Sequence, residues 1–402
     1  MNHRSLSLLE GWIMDNSISD LRVAIMTFFM ANNYGAMLQA FALQKTIENM
    51  GANCEILDYR FPYIYRRDGV YRWNELMHDS GVFKGTARYV WRHLNGWYHS
   101  VPIARKKNDS FMREELRRSK MTYYRKEALR KATYDAIVFG SDQIWSTDHT
   151  GGFASEYLGD FCDGQKTSLI AYAASCGRDC LNPEYQEAFL ARLRLFSDIG
   201  VREKSLACYL REECDLPAKA VLDPVLLADP ELWEDLARQG EIQIDEPYLL
   251  IYSFNAGEDI YKLALRVAKE RGLKPVAICY KRQNLPDGIE QILTCGPKDF
   301  LYLLKNADFV CTTSFHGLAF SLLWEKNYYC MGFPVYFRRE RDLSESAGML
   351  DRYIEDLNEL EYITDCDYTD ARNKLALLQK ESSLFMENAL RKAAERKNER
   401  GK

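Results

Sequence analysis

The sharpest chemical signal in this chain is one turn. The apolar run Phe309-Val310-Cys311-Thr312 passes through Thr313-Ser314-Phe315 to His316 and Gly317, and Leu318 to Trp324 is apolar again. A run ending in two threonines reads as a buried strand, and Gly317-Leu318-Ala319-Phe320-Ser321-Leu322-Leu323 reads as the start of a helix. His316, the only histidine after His149, therefore stands at a strand-to-helix turn. Unpaired backbone N–H groups and the positive end of the helix dipole favour an anion there. An imidazole titrating near neutrality beside a phosphate or carboxylate is a common arrangement for acid–base catalysis. The competing reading is a capping histidine that only satisfies a loop, since such turns occur in many α/β folds without chemistry.

Three further turns have the same form. Asn32-Asn33-Tyr34-Gly35-Ala36 offers amide groups and a glycine that permits close backbone approach, which suits a sugar or an anion. An asparagine helix cap followed by a permissive glycine would look the same. Gly140-Ser141-Asp142-Gln143-Ile144-Trp145 sets a carboxylate, an amide and an indole together. Carbohydrate sites favour that mixture, because an indole offers an apolar face to a pyranose while Asp and Gln take its hydroxyls. Arg202, in Gly200-Val201-Arg202-Glu203-Lys204-Ser205, ends a strand and opens a helix, as a bidentate clamp for a carboxylate or phosphate would. A salt bridge to a local glutamate is the alternative.

Such turns need strands and helices in alternation, and the hydrophobic pattern supplies them. Leu21 to Phe29 reads as a strand, Ala36 to Met50 as a helix ended by Gly51, and Cys54 to Tyr59 as a second strand, one βαβ unit. Ala136 to Phe139, Ser168 to Ala174 and Ile199 to Arg202 continue as strands, with a helix over Glu184 to Phe196. Asp223-Pro224 and Asp229-Pro230 mark a connector, because the residue before a proline is pushed out of helical geometry. A second alternation follows: strands at Tyr248 to Ser253, Pro275 to Cys279 and Phe309 to Thr313, helices at Ile260 to Glu270 and Lys298 to Lys305. A long charged helix covers Thr369 to Glu395. The expected fold is α/β, with two doubly wound Rossmann-like domains facing a cleft, similar to the GT-B glycosyltransferase architecture, and ligands at the carboxyl ends of the strands. The divisions are an extension over 1–20, a first domain over 21–228, a second over 229–350 and a helical tail over 351–402.

At 402 residues the chain can bury two cores. No apolar run approaches the roughly 20 residues that span a bilayer, which argues against an integral membrane protein. Met1 to Asp20 lacks the basic start, long apolar core and small-residue cleavage site of a signal peptide, so the expected location is the cytoplasm. Eleven cysteines without a CxxC pair, among them Cys279 and Cys311 in apolar runs, read as reduced buried thiols. The dispersed histidines imply no metal site. The net charge of −5 conceals a local excess: residues 61–126 hold 15 Lys or Arg against 6 Asp or Glu, a balance of +9 that leaves −14 for the remainder. That segment also holds Tyr63, Tyr65, Trp73, Trp91, Trp97 and Tyr98. A basic aromatic insertion suits peripheral contact with the inner face of the cytoplasmic membrane, or with a phosphate-bearing lipid-linked substrate. The competing reading is a solvated helical insertion. Nucleic acid is not an expected partner, because the rest of the chain is acidic and no recognition motif appears.

Taken in order, these turns resemble the polysaccharide pyruvyl transferase family, from about Leu21 to about Asp351. The residues that carry the resemblance are Asn33-Tyr34-Gly35-Ala36 with Gln39 and Leu43, the Gly140 to Trp145 turn, Val201-Arg202-Glu203-Lys204-Ser205, Leu222-Asp223-Pro224, and Ser314-Phe315-His316-Gly317. The resemblance implies a fold like that of two-domain glycosyltransferases. It also implies transfer of the enolpyruvyl group of phosphoenolpyruvate to a sugar, giving a pyruvate ketal, with phosphoenolpyruvate as co-substrate and no cofactor. His316 would then be the catalytic histidine and Arg202 a donor ligand, with Ser314, Phe315 and Gly317 around the donor. Asn33, Tyr34, Gly35, Ser141, Asp142, Gln143 and Trp145 would line the cleft towards the acceptor, a glycan or lipid-linked oligosaccharide. An anion beside His316 would raise its pKa and keep it charged near pH 7, as an acid role demands. Some members carry an arginine two residues before this histidine, where this chain has Ser314. Arg338, Arg339 or Arg341, in the following loop, would have to supply that cation. The alternatives are a glycosyltransferase whose Ser314 to Gly317 turn cradles the diphosphate of a nucleotide sugar, and a non-enzymatic scaffold docking through the basic insertion.

Overall fold

A computed structural model of the chain describes residues 16–30, 33–67, 101–253, 257–332 and 338–400. Two parallel sheets organise it. The first contains β1 (Arg22–Met26), β2 (Asn53–Tyr59), β3 (Arg118–Tyr123), β4 (Ala136–Phe139), β5 (Ser168–Ala174), β6 (Asp198–Val201) and β7 (Ala218–Ala220), in the order β3-β2-β1-β4-β5-β6-β7. The second contains β8 (Tyr248–Tyr252), β9 (Lys274–Ile278), β10 (Glu290–Ile292), β11 (Phe309–Thr312), β12 (Tyr328–Met331) and β13 (Tyr353–Ile354), in the order β10-β9-β8-β11-β12-β13. Strands β4, β5, β8 and β11 are buried along their whole length. Covered by helices on both faces, they read as continuous apolar runs rather than as an alternation.

Strand order reverses at the same place in both sheets, where β1 lies beside β4 and β8 lies beside β11. Connections leaving such neighbours diverge, which opens a crevice at the carboxyl ends of the strands. The loop after β1 leads to Gly35, that after β4 to Ser141, and that after β11 to His316, so three of the four turns lie at switch points. The architecture is the expected pair of Rossmann-like domains.

Several elements were not legible in advance. Strand β3 and the Val101–Glu114 helix fall inside the basic segment, so its later part belongs to the first domain rather than to an insertion. Half of that segment, residues 68–100 with Trp73, Trp91, Trp97 and Tyr98, lies outside the described residues, as does the Tyr65 side chain. Strand β13 reaches past the boundary expected at 350. Arg338–Ala347 is a helix, not a loop.

The Thr369–Arg400 helix returns to the first domain. Ser382 Oγ accepts from the Leu222 amide at 2.9 Å, Lys392 pairs with Asp198 at 2.6 Å, and the Phe385 ring packs 6.2 Å from that of Tyr172. Tyr34 ties the domains together from the other side. Its hydroxyl donates to the Cys295 carbonyl at 2.9 Å, and its ring lies among Tyr252, Tyr280 and Phe300 at centroid distances of 6.2, 5.0 and 5.7 Å. No helix of the described residues is long and apolar enough to cross a membrane.

Candidate functional site

Loops after β4, β6 and β7 deliver three polar side chains to one buried point. Asp223 follows β7, where Pro224 turns the chain and Asp223 Oδ1 caps the turn by accepting from the Val225 amide at 3.1 Å. Its Oδ2 accepts from Arg202 Nη2 at 2.6 Å and from Ser141 Oγ at 2.9 Å, and Ser141 Oγ also accepts from Arg202 Nη2 at 2.7 Å. The Arg202 and Asp223 side chains are 2% and 0% exposed. The guanidinium lies over the Phe315 ring, 4.5 Å from the centroid, in a cation–π contact. A charge so deeply buried persists only when paired and hydrogen-bonded. Here the pairing is one-sided, because Nε and Nη1 have no hydrogen-bond partner among the described residues, and Nη1 stands 3.9 Å from Asp142 Oδ1. Half of the fork remains to grip an oxyanion.

His316 arrives from the second domain. Ser314 caps the Phe315–Leu323 helix, accepting from the Gly317 amide at 3.5 Å, which puts His316 in its first turn and buries it. Nε2 lies 3.9 Å from Asp223 Oδ2, beyond hydrogen-bond distance, and has no hydrogen-bond partner among the described residues. The other edge of the ring meets the first domain: a Cβ on Gly35 would fall 2.1 Å from Nδ1. Only glycine leaves room for the imidazole there.

Burial pushes the His316 pKa down to about 3; Arg202 and Arg339 push the same way, and Asp142 opposes them. The imidazole is therefore neutral at pH 7. This corrects the expectation of a histidine titrating near neutrality, because the surrounding protein groups favour the uncharged ring. Glu203 moves in the opposite direction. Burial raises its carboxyl to about 7 against a hydrogen bond from Ser175 Oγ and the charges of Arg202 and Arg339. The group titrating near neutrality is thus the carboxyl beside Arg202.

The other expected site residues divide. Gly35, Ser141 and Phe315 join the cluster, and Phe315 is shared, since Arg339 also lies over its ring at 5.8 Å. Asp142 faces Arg202 while its Oδ1 accepts from the Gln143 amide at 2.8 Å. Gln143, with its side-chain oxygen turned towards Arg339, accepts from Nη1 at 2.8 Å and from Nε at 3.1 Å. Asn33 caps the Tyr34–Asn49 helix by accepting from the Ala36 amide at 3.4 Å. Tyr34 belongs to the interdomain core rather than to a cleft wall. Trp145 also departs from expectation: it is 2% exposed, its Nε1 donates to the Tyr157 carbonyl at 3.2 Å and its ring meets Phe196 edge-on, so no indole face is offered to a pyranose. Gly317 serves packing, because a Cβ there would lie 2.2 Å from Thr312 Oγ1. Of the three arginines proposed to replace the missing cation, Arg339 reaches the site and Arg341 turns away to Glu355 at 3.2 Å; the Arg338 side chain lies outside the described residues.

Two residues at the centre, Asp223 and Glu203, were not expected there. Asp223 had been read as a turn residue before proline and as part of the Leu222-Asp223-Pro224 motif, with no role assigned to its side chain. A signal existed in that Asp-Pro follows the last strand of the sheet, but nothing local says what its second oxygen meets.

Solved structures similar to this one include two epimerases and a rhamnosyltransferase. UDP-N-acetylglucosamine 2-epimerase from Rickettsia bellii matches with a TM-score of 0.51 at 13% identity, over 91% of this chain and 96% of that one. UDP-GlcNAc 2-epimerase from Methanocaldococcus jannaschii matches at 0.43 and 11%, over 89% and 92%, and a spinosyn rhamnosyltransferase at 0.38 and 13%, over 94% and 96%. At such identities the likeness concerns the GT-B type of fold and not the chemistry. No curated protein matches the sequence. A model of the polysaccharide pyruvyl transferase family matches residues 33–331, a span that contains Gly35, Ser141, Arg202, Asp223 and His316 alike, and the chain belongs to that family.

Proposed function

We propose that this protein transfers the enolpyruvyl group of phosphoenolpyruvate to two hydroxyls of one sugar, in a polysaccharide or its lipid-linked precursor, closing a pyruvate ketal and releasing phosphate. The observation that carries the reading is the buried, half-satisfied guanidinium of Arg202 beside the unpartnered Nε2 of His316. Phosphoenolpyruvate has a carboxylate that fits the open edge of Arg202 and a phosphate that Arg339 can meet.

Burial first, and then Arg202 and Arg339, hold the His316 pKa down; the two anionic groups of the donor act against both, so the imidazole gains its proton together with the donor. It passes that proton to the methylene carbon, and positive charge develops at the neighbouring carbon. A sugar hydroxyl adds there and loses its proton, phosphate departs carrying a proton as hydrogen phosphate, and a second hydroxyl closes the ring and gives up its own. Two protons are taken up, by the methylene and the phosphate, and two are released, by the hydroxyls. Addition and substitution at one carbon involve no redox change and require no cofactor. The excess of +9 over residues 61–126 supports a cytoplasmic enzyme working on a lipid-linked acceptor at the inner face of the membrane.

The test is thermal unfolding with phosphoenolpyruvate beside a panel of nucleotide sugars. A ligand at a hundred times its dissociation constant stabilises by about 2.7 kcal/mol. Stabilisation by phosphoenolpyruvate, lost in Arg202→Lys, which keeps the charge and removes the fork, is the expected result. Stabilisation by a nucleotide sugar alone would replace this reading with a glycosyltransferase.

A further inference from the structure

We infer that a cavity on the first domain, apart from the Arg202 cluster and walled by Tyr59, Phe61, Tyr63 and Tyr124 over Glu156, binds a pyranose of the acceptor glycan at a distance from the sugar that reacts. The inference deepens the proposed function and rests on it for the identity of the glycan as acceptor.

The cavity has a volume of about 410 Å³, within the range of small-ligand sites. Tyr63 and Tyr124, both in its lining, are 42% and 39% exposed, so each keeps aromatic surface accessible. A pyranose covers such a surface with its C–H edge and turns its hydroxyls to polar groups at the rim. Those groups are in place. Glu156 is 8% exposed, and Tyr59 fixes its carboxylate by donating from the hydroxyl to Oε1 at 2.8 Å. Lys126 is held by Ser155 Oγ at 2.6 Å and by Asp160. The Tyr63 ring is backed by the chain itself, since a Cβ on Gly151 would lie 2.3 Å from its Cε2. Rigid aromatics held from behind lose little entropy when a ligand settles on them. The charges at the rim balance, Arg125 and Lys126 against Glu127 and Glu156, which fits a neutral polyhydroxyl ligand better than a phosphate or a nucleotide.

Position supports the assignment. Tyr59 ends β2, next to β1, so the cavity opens at the same carboxyl edge of the sheet as the Arg202 cluster. Thr27, after β1, donates from Oγ1 to the Ser141 carbonyl at 2.8 Å. The adjacent Phe28 ring meets Tyr157 edge-on at 5.1 Å, and Tyr157 meets Phe61 at 5.4 Å. Phe28 and Tyr157 are buried, 7% and 2% exposed, so this chain of aromatic contacts is core packing that fixes the position of the cavity relative to the Ser141 turn.

Saturation-transfer NMR with maltose, cellobiose, lactose and diacetylchitobiose tests the cavity directly. The expected result is transfer to ring protons of at least one disaccharide, at least tenfold weaker in the Tyr63→Ala/Tyr124→Ala protein and retained in His316→Ala, with all three proteins folded by circular dichroism. Absence of transfer from all four sugars would overturn the inference. So would transfer that survives in the double variant, or that disappears in His316→Ala. Failure of the donor reading shows separately, as no stabilisation by phosphoenolpyruvate, and leaves the sugar measurement interpretable.

Discussion

Gly35 and His316 touch across the boundary between the two domains, with the His316 imidazole so close that a Cβ on Gly35 would sit 2.1 Å from Nδ1 and 2.4 Å from Cγ. The catalytic candidate of one domain is thus positioned by the backbone of the other. Gly35→Ala should displace the ring from its place beside Asp223, costing about 1–3 kcal/mol of stability from overpacking. It should also lower phosphate release from phosphoenolpyruvate by at least a hundredfold, roughly 2.7 kcal/mol of barrier. Wild-type turnover in this variant would show that the placement of His316 is unimportant.

Asp223 should matter for stability as much as for chemistry. Asp223→Asn leaves the Arg202 guanidinium buried without its anion, a change that costs about 3–5 kcal/mol for buried pairs. Urea unfolding of the single variants and of Asp223→Asn with Arg202→Met should give a double-variant loss smaller than the sum, because the second change removes the stranded charge. Simple additivity would mean that the 2.6 Å pair contributes no coupling.

Stability should vary with pH through two groups of opposite sign. His316, depressed from 6.5 to about 3, binds fewer protons folded than unfolded between those values, so stability is lost as pH falls through that window. Glu203, raised from 4.5 to about 7, binds more protons folded than unfolded, so its contribution is present below the unfolded value and lost as pH rises to about 7. His316→Gln should therefore gain stability relative to wild type at about pH 4, and Glu203→Gln should gain it above about pH 7. Parallel pH curves for all three proteins would exclude both assignments.

Arg339 and Arg341 offer a paired control. Arg339 lies over Phe315 and acts on His316, whereas Arg341 pairs with Glu355 on the surface. Arg339→Gln should weaken phosphoenolpyruvate binding about tenfold or more, as loss of a charge-assisted hydrogen bond implies. Arg341→Gln should leave donor binding unchanged. Equal effects, read from the thermal shift with the donor, would contradict the placement of Arg339.

The alternation of strands and helices was legible because it is local. Strands β4 and β5 have the bounds read from their apolar runs, and the turns after them carry the residue types that ligand sites use. The family was legible for the same reason, since its motifs are short and occur in order. The weaker strands escaped notice. Ala218-Lys219-Ala220 and Glu290-Gln291-Ile292 are short outer strands with little apolar pattern, held by pairing on one side. Turn chemistry misled in a systematic way: Asn33 and Asp223 do cap the turns that follow them, but capping uses one polar atom of the side chain and says nothing of the other.

Sequence by itself determined the strand–turn–helix units, the family and the short list of reactive side chains, because each depends on residues near one another along the chain. Tertiary structure alone decided which of those turns meet. Strand order brings Ser141, Arg202 and Asp223 together and sends Trp145 into the core, and domain packing sets His316 against Gly35. Protonation was decided at the same level. The neutral state of His316 follows from desolvation reinforced by Arg202 and Arg339, and the raised pKa of Glu203 from desolvation that outweighs the same two arginines, and no spacing along the chain records either.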